Sequence, residues 1–168
     1  LLPLSCGRQF DVRPFGPNTG QTTHIYPDYQ DVTIPCNIAP LNFYYTEPAG
    51  SRFQTFFSAG NYTRVFKGRE VVWKEKDWAA LLSAAAGGDI QVHAVWRNDG
   101  KIVTRTWDIH VSTDRIDPYL TYRRIEPGFE VWDDLEIQER NLENFDTRIL
   151  SDWRHTENKC MNCHIHAQ

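Results

Sequence analysis

Apolar and polar positions alternate with a period of two through most of the middle of this chain, which is the signature of half-buried strands. Leu41 to Thr46, Arg52 to Ala59 and Tyr62 to Phe66 are rich in aromatic and β-branched residues. Glu47-Pro48-Ala49-Gly50 and Gly60-Asn61 separate them as turns, so the pattern predicts three strands. The period then changes. Trp78, Leu81, Leu82 and Ala85 fall on one face at helical spacing, Asp77 precedes them, and Gly87-Gly88 supplies the stop. This predicts a short amphipathic helix packed on a sheet. Asp89 to Arg97 and Lys101 to Val111 return to alternation around Asn98-Asp99-Gly100, a tight-turn hairpin signal. Ile90, Val92, Ala94 and Trp96 line one face of its first strand; Val103, Arg105, Trp107, Ile109 and Val111 share a face of the second.

The flanks read differently. Residues 7–31 hold Gly7, Pro14, Gly16, Pro17, Gly20 and Pro27, punctuation too dense for a helix or a central strand. They predict an extended tether, with Tyr26 and Tyr29 docking on the domain. After Ser112, Arg115 to Gly128 reads as a turn-rich connector. Val131 to Phe145 predicts a helix with a thin inward stripe of Val131, Leu135, Gln138 and Leu142, and Asp146 to Trp153 another turn of helix. The expected organisation is therefore residues 1–6 as a signal-peptide tail with a lipidation cysteine and 7–31 as the tether. Residues 32–112 form a small antiparallel β-sandwich with one inserted helix, and 113–168 a turn and helix tail. The class is mainly β with some α.

Composition fits a folded domain. In 168 residues, 40% are hydrophobic and 13% aromatic, too apolar for a disordered chain. A net charge of −4 gives no electrostatic reason to bind nucleic acid. No apolar run approaches the length of a membrane span. There is no internal repeat, Ser-His-Asp set, P-loop, dinucleotide fingerprint or zinc-protease motif, so no enzyme activity is expected. The six tryptophans are by default packing residues, and Asp133-Asp134, adjacent in sequence, do not converge.

Two cysteine contexts carry chemistry. Leu1-Leu2-Pro3-Leu4-Ser5-Cys6-Gly7 resembles the end of a bacterial lipoprotein signal peptide, with Cys6 as the lipidated residue. Pro3 and Leu4 depart from the usual pattern there, and the competing reading makes Cys6 an ordinary buried or loop cysteine. Cys160-Met161-Asn162-Cys163-His164 is a Cys-x-x-Cys-His motif, the pattern of covalent c-type haem attachment. Two thiols at this spacing each meet one vinyl group, and the next histidine lies under the iron. A chance match in a chain of this composition is on the order of a few in a thousand. Covalent attachment takes place outside the cytoplasm, which the lipoprotein-like start supplies independently.

The expected site is therefore Cys160, Cys163 and His164 holding haem c, with His164 on the metal. The distal ligand stays open: Met161 sits between the two thiols and His166 is too near His164, leaving His155, His24, His93, His110, a partner or an open position. Competing readings keep Cys160 and Cys163 as a disulfide or redox pair, place them with His164 and His166 on zinc, or treat the motif as vestigial. His93 and His110 read as solvent-face residues of the hairpin and His24 as part of the tether. Cys36 reads as a buried or spare thiol, able to pair with Cys6 if that residue is not lipidated.

Several segments together resemble a family of gut-bacterial envelope lipoproteins. They are Tyr26-Pro27-Asp28-Tyr29, Ile34-Pro35-Cys36-Asn37-Ile38-Ala39-Pro40-Leu41-Asn42-Phe43 and Ile116-Asp117-Pro118-Tyr119-Leu120. Tyr122-Arg123, Ile125-Glu126-Pro127-Gly128, the run from Gln138 to Phe145 and the Cys-x-Asn-Cys-His segment complete the set. The resemblance implies a β-sandwich-like front part, the motif, and then a TolB-like β-propeller downstream, this chain corresponding to the front part. It implies a periplasmic or outer-membrane location, membrane attachment by a lipid, and an envelope redox partner or other envelope protein as partner. It assigns no function, because such proteins are recognised by the motif and the propeller alone.

Overall fold

The computed structural model describes residues 19–125 and 135–156. Six short strands precede the helix: β1 His24–Tyr26, β2 Thr33–Ile34, β3 Phe43–Glu47, β4 Gln54–Ala59, β5 Tyr62–Lys67 and β6 Glu70–Val71. Helix α1 Glu75–Ala85 follows, then the long strands β7 Asp89–Asn98 and β8 Lys101–Val111. Strands β9 Tyr119–Arg124, β10 Glu136–Asn141 and β11 Thr147–Asp152 form the tail, closed by a single 3-10 turn, Trp153–Thr156.

The hairpin of β7 and β8 is the spine. It pairs without a slip from Asp89↔His110 to Asn98↔Lys101. Its turn holds Asp99 at φ 48° and Gly100 at φ 76°, the left-handed pair that a two-residue hairpin turn needs. β4 joins β7, β5 joins β4, and β2 adds to β8 in parallel, giving a five-stranded sheet in the order β2-β8-β7-β4-β5. One face carries Phe57, Ile90, Val92, Ala94, Trp96, Val103, Trp107 and Ile109, all nearly inaccessible. The expected face pattern holds, with Arg105 at its edge, half buried.

Two layers cover that face. The small sheet β1-β3-β6 contributes Ile25, Phe43, Tyr45 and Val71, and α1 contributes Trp78, Leu81, Leu82 and Ala85. Tyr45 stacks on Phe53 at 3.7 Å and 2°, and its hydroxyl lies 2.7 Å from Thr55 Oγ1, so burying the ring leaves no polar atom unmatched. α1 starts at Glu75 with Asp77 in its first turn, where carboxylates suit the helix dipole; Asp77 also pairs with Arg64 at 3.1 Å. Gly87, at φ 74°, ends it, as the glycine pair predicts. The chain is mainly β with one inserted helix, a sandwich in its central part.

Two expectations need correction. The part of the expected tether that the structure describes includes β1, paired antiparallel with β3 and burying Ile25 to 5% exposure. Pro27 and Gly20 bracket this strand rather than preclude it. The expected helical tail is instead a three-stranded antiparallel sheet, β11-β10-β9. Residues 135–145, expected to be helical, form β10 and the hairpin loop after it, and most of 146–153 is β11.

The reason lies in the loop and the cross-strand charges. Asn141 Oδ1 accepts from Glu143 N at 2.8 Å and Asn144 Oδ1 from Asp146 N at 3.0 Å, side-chain bonds that compete with helix and close a turn. Phe145 adopts φ 69° there. Glu139 faces Arg148 and Glu136 faces Arg124 in register, with ion pairs of 2.7 and 3.5 Å. Opposite charges directly across strands stabilise this sheet, whose faces bury little.

Candidate functional site

Cys6, Cys160, Cys163 and His164 lie outside the described residues, as do Met161 and His166. The structure therefore bears on the candidate chemistry through what surrounds those segments in sequence. Among the described residues no three His, Cys, Asp or Glu side chains converge as a metal site would require. No described helix is long and apolar enough to cross a membrane.

Two places in the described residues combine geometry with chemistry. The first is a groove of about 490 Å³ where the loop Cys36 to Pro40 crosses α1. Pro35 and Pro40 keep this loop out of helix and sheet, so its polar groups look elsewhere for partners. Trp78 Nε1 donates to Ile38 O at 2.8 Å, fastening the loop to the helix. Asn37 is 7% exposed and works as a clamp. Its Nδ2 donates to Ile116 O and to Glu143 Oε1, both at 2.9 Å, and its Oδ1 accepts from Ile116 N at 3.0 Å. Ala39 N donates to Leu142 O, and Leu142 N to Pro118 O, both at 2.7 Å. These bonds tie the tail sheet to the sandwich at one end of the groove.

The Arg115–Glu143 ion pair, 2.7 Å, stands at that rim. Cys36 is a free thiol whose Sγ lies 3.5 Å from Thr113 O and from Asp114 O. The sulfur faces these two carbonyls, and the groove it lines offers a recognition surface. Sequence reasoning treated Cys36 as a spare thiol and missed Asn37. The only available signal was a small amide between two prolines.

The second place is the end of β11. Asp152, 9% exposed as a residue, accepts from Arg154 N at 3.0 Å, and His155 Nδ1 lies 3.0 Å from the same carboxylate oxygen. Burial acts to raise the Asp152 carboxyl. The Arg154 amide, the His155 ring and the positive charges of both side chains prevail and hold it below the ordinary carboxylate range. Asp152 N also approaches His155 Nδ1, at 3.3 Å. We place the ring proton on Nδ1, because an ionised carboxylate at the shorter distance is the better acceptor. In the neutral ring Nε2 then carries the lone pair, on a side chain that is 65% exposed, whereas in the charged ring both nitrogens carry protons. Comparison with protein-family models, curated proteins and solved structures finds no match to this chain.

The other histidines sit on the sandwich. His24 is exposed on β1, a strand rather than a tether. His110 is exposed and lies 2.9 Å from the Asp89 carboxylate, itself half exposed. His93 is on the outward face of β7 but half buried, and burial lowers its pKa against the opposing pull of Asp108. Folding thus favours its neutral form, a contribution present above the unfolded value of 6.5 and lost as pH falls through the lower folded value. The denaturation midpoint is expected to decline as pH drops below about 6.5, and to decline less in His93→Gln; urea titrations at a series of pH values measure both.

Proposed function

We propose that the chain is an exported, membrane-anchored c-type haem-binding protein acting in electron transfer or redox sensing. The observation that carries this reading is the motif Cys160-Met161-Asn162-Cys163-His164. The donor set fits the group: two thiols and an imidazole in the motif, and five positions before its first cysteine a further imidazole already oriented by a carboxylate. Bound haem would supply a one-electron couple at iron.

The chain's own residues would attach and orient it. Cys160 and Cys163 would each add S–H across one vinyl group, the sulfur bonding the carbon next to the ring and the hydrogen going to the outer carbon. No oxidant is consumed, and both thiols must be reduced beforehand; a Cys160–Cys163 disulfide formed in an oxidising compartment would need a dithiol reductant first. His164 would bind the iron. Cys6, acylated, would anchor the chain to the membrane, with an envelope redox partner as the source or destination of the electron.

The groove favours a second reading, a non-enzymatic envelope binding or scaffold lipoprotein for a glycan, peptide or protein. Its mainly apolar lining and ionic rim form a surface of ligand size. In that reading Cys160–Cys163 is a structural disulfide. Expression of the chain together with envelope haem-ligation machinery separates the two. The haem reading expects a Soret band and a mass gain of one haem, both lost in the Cys160→Ala/Cys163→Ala double variant. Colourless protein with a Cys160–Cys163 disulfide overturns it in favour of the binding module.

A further inference from the structure

We propose that the outer face of the small sheet β1-β3-β6 binds a quaternary ammonium ion of the choline type, held between the rings of Tyr26 and Tyr44 beside the Glu70 carboxylate. Binding there requires neither haem nor a disulfide at the cysteine motif. Ile25, Phe43, Tyr45 and Val71 turn inward to the core, so their neighbours Tyr26, Tyr44, Glu70 and Val72 turn outward. Register then sets three of them in one row. Tyr26 pairs with Tyr44 across β1 and β3, and Tyr44 with Glu70 across β3 and β6. The two rings lie 5.8 Å apart, tilted by 56°, and are 61% and 47% exposed. They wall a cavity of about 230 Å³ whose lining is otherwise almost wholly apolar, with Pro27 and Val72.

A cross-strand tyrosine pair is common in sheets and by itself stabilises only the strands. The carboxylate gives this pair a ligand's chemistry. Glu70 is the one charged residue in the lining, and among the described residues its carboxylate meets neither a cation nor a hydrogen-bond donor. The ring faces are electron-rich as well, so all three side chains attract a cation.

The lining also selects among cations. A primary ammonium has three N–H donors to satisfy and a guanidinium five, whereas the cavity's one charged acceptor is Glu70. Asn42 Oδ1 is already taken by Trp73 N. A quaternary ammonium carries its charge without any N–H, and its methyl groups suit the apolar walls and ring faces. The volume agrees. It falls short of the roughly 300 Å³ at which drug-sized pockets begin, as a site for one trimethylammonium group should. Nothing in the lining is cationic, so the phosphate beside the ammonium of a choline lipid would face Glu70 without neutralisation. The fitting ligand is therefore the free cation rather than a membrane headgroup.

The test titrates the full chain with choline chloride, at an ionic strength held constant with sodium chloride, and follows the tyrosine ring resonances by NMR. Saturable shifts of Tyr26 and Tyr44 are expected, with a dissociation constant in the millimolar range. Dimethylbutanol, the uncharged analogue with carbon in place of nitrogen, and butylammonium should each bind at least about fivefold more weakly. Tyr44→Leu keeps apolar area but loses a ring face. It and Glu70→Gln should each weaken choline binding by about threefold or more, with the circular dichroism unchanged. Tyr119→Ala, which removes an exposed ring of β9, should match the wild type. Sedimentation with phosphatidylcholine vesicles should be the same for the wild type and Tyr44→Leu.

Absence of a saturable shift with choline overturns the proposal. So does equal binding of dimethylbutanol, which would make the cavity an apolar contact only. Choline affinity unchanged in both Tyr44→Leu and Glu70→Gln places the cation elsewhere and overturns it. Vesicle sedimentation lost in Tyr44→Leu, without binding of free choline, overturns it in favour of a lipid headgroup.

Discussion

Trp78→Ala is expected to lower the stability of the fold by about 3–5 kcal/mol, the range for deleting a large buried aromatic side chain. Trp78 is 2% exposed, and its ring meets Trp73 edge-on at 5.3 Å. It belongs to a chain of aromatic contacts running through Trp73 to Phe57 and Phe66, so its loss opens a cavity bounded by rigid rings that cannot collapse into it. The indole N–H also fastens the loop at Ile38 to the helix, so the variant leaves a carbonyl without its partner. Trp78→Phe separates the two effects. It keeps most of the packing and loses the bond, and should cost about 1–3 kcal/mol. Urea denaturation followed by circular dichroism measures both. A loss below about 1 kcal/mol for Trp78→Ala would mean that the helix is not held on the sheet by this side chain.

Trp78 also illustrates why the sandwich could be read from the sequence. Its spacing to Leu81, Leu82 and Ala85 is helical, and all four are buried. Ile90, Val92, Ala94 and Trp96 likewise alternate, and the Asp99-Gly100 turn fixes their register against Trp107 and Ile109. In both cases one face meets a core and the other does not, so burial is written into the period.

The tail lacks that contrast. β10 reads Glu-Ile-Gln-Glu-Arg-Asn and every one of its residues is half buried, so neither period stands out. Val131, Leu135, Gln138 and Leu142 fell at helical spacing, but one of the four is polar, and Leu142 lies in the loop, where its backbone pairs with Ala39 and Pro118. The Glu–Arg pairs that hold the sheet appear only once the register is known. Similarly, β1 contains three residues between turn formers, too few for a pattern to show. The candidate site divides the same way. Cys-x-x-Cys-His is visible because its chemistry demands a local spacing. The Asp152–His155 pair is local too, three positions apart, but a lone Asp-x-x-His has no meaning until a strand end and a 3-10 turn fold one onto the other.

Asn37 lies at the opposite end of the tail sheet, and its replacement is the second large effect. Asn37→Ala is expected to cost about 2–4 kcal/mol, because it removes three hydrogen bonds and leaves both the N–H and the C=O of Ile116 without the amide that served them. The neighbouring Arg115–Glu143 pair cannot compensate, since both side chains are substantially exposed and such pairs contribute about 0–1 kcal/mol. Asn37→Asp should be no milder. The carboxylate can still accept from Ile116 N but cannot donate to Ile116 O, and it places a negative charge where the amide met Glu143. Arg115→Ala provides the contrast, expected within about 1 kcal/mol of the wild type. If Asn37 clamps the two parts together, limited proteolysis of Asn37→Ala should cut first between the sandwich and the tail sheet, near residues 112–118, while the hairpin stays protected. An unchanged midpoint and an unchanged cleavage pattern would show that the bonds of Ala39 and Leu142 hold the junction without it.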